Sequence, residues 1–514
     1  MRVFYCGGGL PNAASQIIVD TSFLKIGMSM PERLCGREQE YGLTIFPIPR
    51  SCRDDDEVRS EWRDSIIDAV LTRIPLVAPA LAFKSDFNYW LSNGSRIYKD
   101  QQSLEAAGAE HLAGSLDGIL QEKATELILL RASQMVVNSR HLKVINFYKN
   151  NVGPGEDEIG NSIEVTYGSH HNYSYAIEKR KEVIRLLLNF IPATLPLSGN
   201  GHIYEVYEGK FVYCFSQRAN HLERLAGSCT TAERAIINTR EEPLMDSSCG
   251  LSRMHLISRD ATRCELQTWL VDTITHLVLR LAEEGWRLPH RLTLKRPIAD
   301  IHSFNTKFDL DYRFQLQSRS ISAVEYNYLF LRAARQLKPL SVAEKKCLEE
   351  WERILELLKA KAVRKLVGEL DWATKWFLLE NQMKKWHFGL NSSEAFKINM
   401  EYHNISASPR KSIFALLNER GLIKHLVDPK MVQEMVVNAP QTRARSRGEF
   451  IRRCLRDNNL RRQLQDFDWQ SAKTITKVIY FGGINNPFSS HTVFGPYDPN
   501  AKRHRFPGNF EFRP

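Results

Sequence analysis

The spacing of apolar side chains divides the chain into strand-like and helix-like stretches. Residues 34–46 read as a strand. Residues 55–74 place Trp62, Ile66, Ile67, Val70 and Leu71 on one side of an amphipathic helix. Residues 91–98 read as strand, turn and strand around Asn93-Gly94, a pair that tolerates the positive φ angles of a tight hairpin. Helical periodicity covers 118–138, 175–191 and 262–284. Strand-like runs fall at 144–148 and 162–167, around a Gly/Pro/acid loop at 153–160, and a single strand is expected over 206–215. Past about residue 340 the pattern turns to helices rich in Glu, Lys, Leu and Trp, as in 342–385. An Arg-rich helix begins near 440 and a strand covers 474–481. From Gly482 onward a Gly/Pro/Asn-rich stretch has no periodicity and reads as loop.

Composition narrows the class. The 514 residues are 43% hydrophobic, enough for a large domain with a smaller one beside it. No apolar run is long enough to cross a bilayer and the N-terminus lacks the regions of a signal peptide, so the expectation is a cytoplasmic protein with no membrane partner. The pattern that reads as a domain start begins at Met30. Residues 1–29 are therefore taken as an extension or a mis-assigned start, with Met28 or Met30 as the true one. Nine cysteines, none at CxxC spacing, read as free thiols. The net charge of +11 (70 basic minus 59 acidic residues) is densest in Arg residues between Arg443 and Arg462. That stretch has few aromatics and no nucleic-acid signature, so no nucleic-acid partner is expected. It reads as a solvated basic helix face or as a docking surface for an acidic partner.

Several clusters carry candidate chemistry. Glu38 and Glu40 stand two apart on the first strand, which points both carboxylates to one face. Like charges side by side repel unless a cation lies over them, and Mg²⁺ prefers carboxylate oxygens. Taken alone, the pair reads better as a solvated strand edge, since Glu-x-Glu is common. Tyr98 and Asp100 repeat the spacing, followed by Glu105 and Glu110, which could extend a cation site. His170 and His171 point in opposite directions on a strand, so at most one faces a shared metal. Arg218, Arg240 and Arg253 lie near strand ends, where guanidinium groups can hold phosphate bidentately. There is no P-loop, GxGxxG, HExxH or GxSxG motif. Any use of ATP would run through metal-bridged phosphates and arginines.

In order along the chain, these segments resemble the Pup-ligase and Pup-deamidase/depupylase family of glutamine-synthetase-like carboxylate–amine ligases. The matching motifs are Gly36-Arg37-Glu38-Gln39-Glu40-Tyr41-Gly42, Asn93 to Asp100, Leu104 to Glu110, Lys149-Asn150-Asn151, Tyr167 to Tyr173, Ser216 to His221, Ile237 to Pro243 and Arg253 to Ile257, then Asp371-Trp372 and Pro440 to Phe450. Each is weak alone, and ten in register are specific. The resemblance implies an α+β fold in which a curved antiparallel β-sheet cradle with helices on one side holds Mg-ATP, beside a small C-terminal domain. It divides the chain into a catalytic domain over 30–435, a C-terminal domain over 436–485 and a loop-rich tail over 486–514. It further implies metal-site roles for Glu38, Glu40, Tyr98, Glu105, His170 and His255. Phosphate binding falls to Arg218, Arg240, Arg253 and Asn238, and Asp100 is the catalytic base or nucleophile.

The implied reaction joins the C-terminal glutamate carboxylate of a small ubiquitin-like, Pup-like modifier to lysines of protein substrates through a γ-glutamyl phosphate, marking them for the proteasome. Alternatives are a depupylase or deamidase of the same family, an inactive homologue that only binds its partner, and a small-molecule glutamate–amine ligase. The segment from Gly42 to Asn93 leaves no room for the extra loop of depupylases, whereas Trp351-Glu352-Arg353 and Glu369 to Ala373 look depupylase-like; ligase is the reading adopted. Two positions depart from the family pattern, His171 and Asn220, where acids are expected. Both are read as removing negative charge near the metals.

Overall fold

The computed structural model describes residues 32–494, apart from 53–54, 86, 101–102, 157–161, 230–233, 241–243, 245–249, 407–411 and 482–491. Residues 1–31, including the expected start, lie outside the described residues. One large sheet organises the fold. Its strands are β1 (Leu34–Phe46), β2 (Ala80–Ala82), β3 (Asn88–Leu91), β4 (Arg96–Asp100), β5 (Ser103–Ala107), β6 (His111–Leu112) and β7 (Val144–Tyr148). After a separate ribbon of β8 (Val152–Glu156) and β9 (Ser162–Thr166), β10 (Ser169–Ala176) returns to it. A second hairpin, β11 (His202–Tyr207) and β12 (Lys210–Cys214), precedes β13 (Arg224–Gly227), β14 (Ala235–Asn238) and β15 (Leu251–Leu256).

The order across the large sheet is β13-β14-β15-β10-β1-β5-β4-β3-β2, with β6 and β7 also on β1. Every pairing is antiparallel except β13 with β14. At thirteen residues, β1 is long enough to change partners along its length. Cys35 to Gln39 lie against β10, and Gly42 to Phe46 lie against β7. Cys35, Arg37, Gln39 and Tyr41 are buried on one face, while Gly36, Glu38 and Glu40 are half-buried on the other. The buried face packs on the Asp56–Leu71, Asp117–Ser139 and Glu265–Glu283 helices, through Ile66, Val70, Ile128, Leu129, Leu270 and Ile274 among others. The last of these helices is buried along nearly its whole length, so its Asp272, His276 and Arg280 need partners inside the protein.

The C-terminal segment builds its own unit. After a β16–β17 hairpin (Arg313–Gln315 and Ser320–Ser322) and a run of helices, the Arg443–Arg456 helix leads into a four-stranded sheet. Its strands are β18 (Leu464–Phe467), β19 (Ser471–Thr474), β20 (Val478–Phe481) and β21 (Thr492–Phe494). Its small core takes Leu81 and Trp90 from the large sheet, with the Trp90 ring 5.1 Å from that of Phe467 and 4.8 Å from that of Trp469.

The structure corrects several expected elements. The single strand over 206–215 is a hairpin turning at Gly209 (φ 76°), because Glu208-Gly209 breaks the apolar run. The loop at 153–160 is partly strand, since β8 pairs with β9 as far as Glu156 and Ser162. The helix expected from 175 begins at Arg180, after β10 and a short 3₁₀ turn. Within the expected tail, Thr492–Phe494 pairs with β20. The basic stretch is not wholly a solvated face: Arg443 and Arg447 are buried on Glu110. Cys35, Cys52, Cys264, Cys347 and Cys454 are free thiols, all buried. No described helix is long and apolar enough to cross a membrane.

Candidate active site

Strand register gathers the candidate residues on the open face of the sheet. Glu38 lies opposite His170, Glu40 opposite Glu105, and Glu105 opposite Tyr98. His255 lies opposite both Asn172 and Asn238. Residues paired across strands share a face, so this set converges without any long loop. Glu38 is the hub. One carboxylate oxygen lies 3.1 Å from His170 Nδ1 and 3.8 Å from His255 Nε2. The other accepts from Asn172 Nδ2 at 3.1 Å and lies 3.6 Å from Arg253 Nη1. Arg253 in turn donates to Asn172 Oδ1 at 3.1 Å. The two imidazole rings meet edge to face, 5.0 Å apart.

The electrostatics split the acids. Burial alone would raise the Glu38 carboxyl, but the His170 hydrogen bond and the charges of His255, His170 and Arg253 hold it down at about 2. Glu105 goes the other way: burial and then the Glu38 charge lift it to about 8, against the hydrogen bond from Tyr98. Burial, reinforced by Glu105, raises the Tyr98 hydroxyl. Burial likewise lowers His255 to about 3, despite Glu38. Three acids thus crowd one face, and burial together with the Glu38 charge raises one of them, Glu105.

A divalent cation fits this arrangement. One donor atom each from Glu38, His170 and His255 lie within 4.8 Å of one another. Neither ring nitrogen of the buried His255 has a hydrogen-bond partner, nor does the amide nitrogen of buried Asn238. Gly168 keeps the space open: a Cβ there would stand 2.7 Å from Glu40 Oε1 and 2.8 Å from His170 Nε2. Carboxylate oxygens joined by imidazoles suit a hard or borderline divalent ion such as Mg²⁺.

The remaining expected residues fall in different places. Asp100 is exposed at the end of β4, and its charge helps raise Glu105. Arg218 is buried and donates to the backbone oxygens of Tyr167 (3.0 Å) and Ile257 (2.8 Å), so much of its fork holds the chain rather than facing the cleft. Arg240 is exposed just beyond β14, its amide bonded to Asn238 Oδ1.

Two expectations, for Glu110 and His171, are overturned by side-chain direction. Glu110 does not extend the cation site, because Arg443 and Arg447 hold it. His171 lies on the buried face opposite Arg37, beside Tyr173 and Asp272, so its replacement of an acid takes no charge from the cleft. Asn220 is bonded to Asn305 (3.1 Å) and lies near the Cys214 sulfur. The Lys149 of the Lys-Asn-Asn motif is buried on Glu122, Glu126 and the Thr262 carbonyl.

The structure adds residues that the motifs left without a role. Asn172 bridges Glu38 and Arg253; its spacing of two from His170 was the available signal. The Arg96 guanidinium stacks 3.9 Å from the Tyr98 ring. A largely apolar cleft runs from Glu38, Gly36 and Arg253 to Arg443 and Trp469 of the C-terminal unit. A Cβ on Gly36 would meet nothing within 4 Å, so the cleft floor is open there. No local pattern could have brought Trp469 to the first strand.

Such a fold and cleft define a class: an α+β protein in which a mostly antiparallel sheet, backed by helices, presents acids, histidines and an arginine to a site suited to a divalent cation. A family model described as Pup-ligase protein matches residues 33–473, and the chain belongs to that family. It is 30% identical over 445 residues to a Pup–protein ligase of Xylanimonas cellulosilytica, covering 82% of this chain and 90% of the relative. To that of Kribbella flavida it is 30% identical over 478 residues, covering 90% and 98%. Among solved structures, the complex between the prokaryotic ubiquitin-like protein Pup and its ligase PafA aligns with a TM-score of 0.74 at 26% identity, over 90% of each chain. PafA in complex with ADP aligns with a TM-score of 0.67 at 25% identity, over 87% of this chain and 94% of that one.

Proposed function

We propose that the protein is an Mg-ATP-dependent ligase that joins the C-terminal glutamate carboxylate of a small Pup-like modifier to lysines of protein substrates. The observation that carries the reading is the Glu38 hub, with His170, Asn172, Arg253 and His255 about it, in a chain of the Pup-ligase family. Relatives named Pup–protein ligases, one solved with Pup and one with ADP, supply the substrate class. Marking of substrates for the proteasome and a cytoplasmic location go with this reading.

A carboxylate resists attack by an amine until it carries a leaving group, which transfer of the ATP γ-phosphate provides. Glu38, Glu40, Glu105, Tyr98, His170 and His255 would hold Mg²⁺, whose charge offsets that of the phosphates. Arg253 lies beside the hub, with Arg240 and Asn238 at the neighbouring strand end, placed to meet phosphate oxygens. Arg218 holds the Tyr167 and Ile257 carbonyls while its charge lies near Glu40. The indole of Trp469 offers a flat apolar wall for a nucleotide base, so the C-terminal unit over 436–485 completes the site of the catalytic unit over 30–435. Asp100, exposed at the end of β4 with its charge felt by Glu105, takes the proton from the attacking lysine. The amine then displaces phosphate and leaves an isopeptide bond.

The test is conjugation by the purified protein with Mg-ATP, a Pup-like modifier ending in glutamate and a lysine-bearing substrate, read as a mass shift. Asp100→Ala is expected to abolish conjugation while ADP binding persists. Conjugation at the wild-type rate in that variant would remove Asp100 from the chemistry. Cleavage of a preformed conjugate without any joining would reverse the proposed direction.

A further inference from the structure

Beneath the hub lies a second cluster that the proposed chemistry does not use. Asp272 sits in the middle of the buried Glu265–Glu283 helix, under the sheet. One carboxylate oxygen accepts from Arg37 Nε at 3.0 Å and lies 3.6 Å from His111 Nε2. The other accepts from the Tyr173 hydroxyl at 2.9 Å and lies 3.5 Å from His171 Nδ1. The partners come from β1, β6 and β10, three adjacent strands. Arg37 extends the tie, donating to Glu122 (3.0 Å), Thr262 Oγ1 (3.2 Å) and the Thr268 carbonyl (2.7 Å).

Sequence adjacency gives the cluster its meaning. Arg37 precedes Glu38, His171 stands between His170 and Asn172, and Tyr173 follows Asn172. Alternate residues of a strand face opposite ways, so fixing the lower set fixes the height and register of the upper set. A buried carboxylate in mid-helix is costly, and a leucine would fill the same space without desolvating a charge. Its place here matches a task that an apolar contact cannot perform: holding three strands at once at hydrogen-bond precision.

We infer that Asp272 is a positioning residue that pins β1, β6 and β10 beneath Glu38, His170 and Asn172 and thereby sets the metal affinity of the site. The inference rests on the metal reading of the Glu38 hub. Groups that orient metal ligands typically change affinity by about 10–100-fold when removed. Carboxylate donors must be held to within roughly 0.5 Å to bind well.

The test uses the full-length protein and Mn²⁺ as probe, with affinity read by titration and the fold by melting temperature. Asp272→Asn is expected to weaken Mn²⁺ binding by about 10–100-fold. Because that change strips Arg37 of one of its two carboxylates, the paired variant Arg37→Met/Asp272→Leu removes both members of that pair, and its folded form is expected to show the same loss. A role confined to stability would lower the melting temperature and leave Mn²⁺ affinity in the folded protein unchanged. That result in the paired variant overturns the inference and leaves the proposed ligase untouched. Failure of the wild-type protein to bind Mn²⁺ overturns the metal reading and this inference with it.

Discussion

Among single residues, Lys375 sits in the least hospitable place for a charge. It is fully buried, donating to the Gly201 carbonyl at 2.6 Å and Asn399 Oδ1 at 3.1 Å, with His403 Nε2 at 2.7 Å. Burial pulls its ammonium down to about 7, against the charges of Asp371 and Asp260. The unfolded chain therefore holds more protons than the folded one between pH 7 and the ordinary lysine value near 10.5. Stability should rise with pH across that window. Calorimetric melts from pH 7 to 9 are expected to show a more positive slope in the wild type than in Lys375→Met, whatever the other groups contribute to both; equal slopes would refute the assignment. The candidate site's placement of Glu38 and Glu40 on one face could be read at this scale, because their alternation with buried neighbours follows from strand geometry alone. The departure at His171 was misjudged because a motif gives order along the chain and not the face on which a side chain emerges.

Local elements were legible where the turn chemistry was strong. Asn93-Gly94 forms the expected turn, with Gly94 at φ 81° and Asn93 Oδ1 accepting from Ser95. What the dipeptide does not disclose is its second task. A Cβ on Gly94 would lie 2.8 Å from Ala444 Cβ and 3.1 Å from the Ala444 carbonyl, so the turn is also the seat of the Arg443–Arg456 helix. Gly94→Ala combines backbone strain with that clash and is expected to cost about 1–3 kcal/mol. Through the displaced C-terminal unit it should also weaken ADP binding. Thermal melts and an ADP titration check both outcomes, and an unchanged melting temperature would show that the helix yields freely. The β11–β12 hairpin escaped the sequence because aromatic residues continue on both sides of the Glu208-Gly209 break. Periodicity alone cannot tell one long apolar strand from two short ones.

Across the whole molecule, Arg447 ties three parts together. Its guanidinium donates to Glu110, to the Gly94 carbonyl and to the Trp469 carbonyl at 2.6 Å. Burial would raise Glu110, but Arg447 and Arg443 outweigh it and hold the carboxyl at about 2. A lowered carboxyl stabilises the fold above its unfolded value near 4.5, and that contribution is lost as pH falls from there toward 2. Acidification below pH 4.5 should therefore weaken the seat of the C-terminal unit, seen as rising protease cleavage within it. Arg447→Ala leaves Glu110 with Arg443 alone and strips the Gly94 and Trp469 carbonyls of their donor, and its destabilisation is expected at about 1–3 kcal/mol even at pH 7. Wild-type stability in that variant would show that Arg443 alone suffices. This long-range architecture was the least readable part of the chain, since no local signal links residue 38 to residue 469.

The partner changes of β1 also set an order of events during synthesis. Glu38 leaves the ribosome early, yet Asn172, which steadies its carboxylate, follows 134 residues later. At about 5–20 residues per second, that is a wait of roughly 7–27 s. Throughout it the first strand is made without the β10 edge it pairs with, its acids unpartnered and its ladder open. The nascent chain is then most exposed to wrong pairing and most dependent on whatever shields unfinished strands. Substitutions in β10 that leave the finished enzyme intact should still lower its yield in the cell.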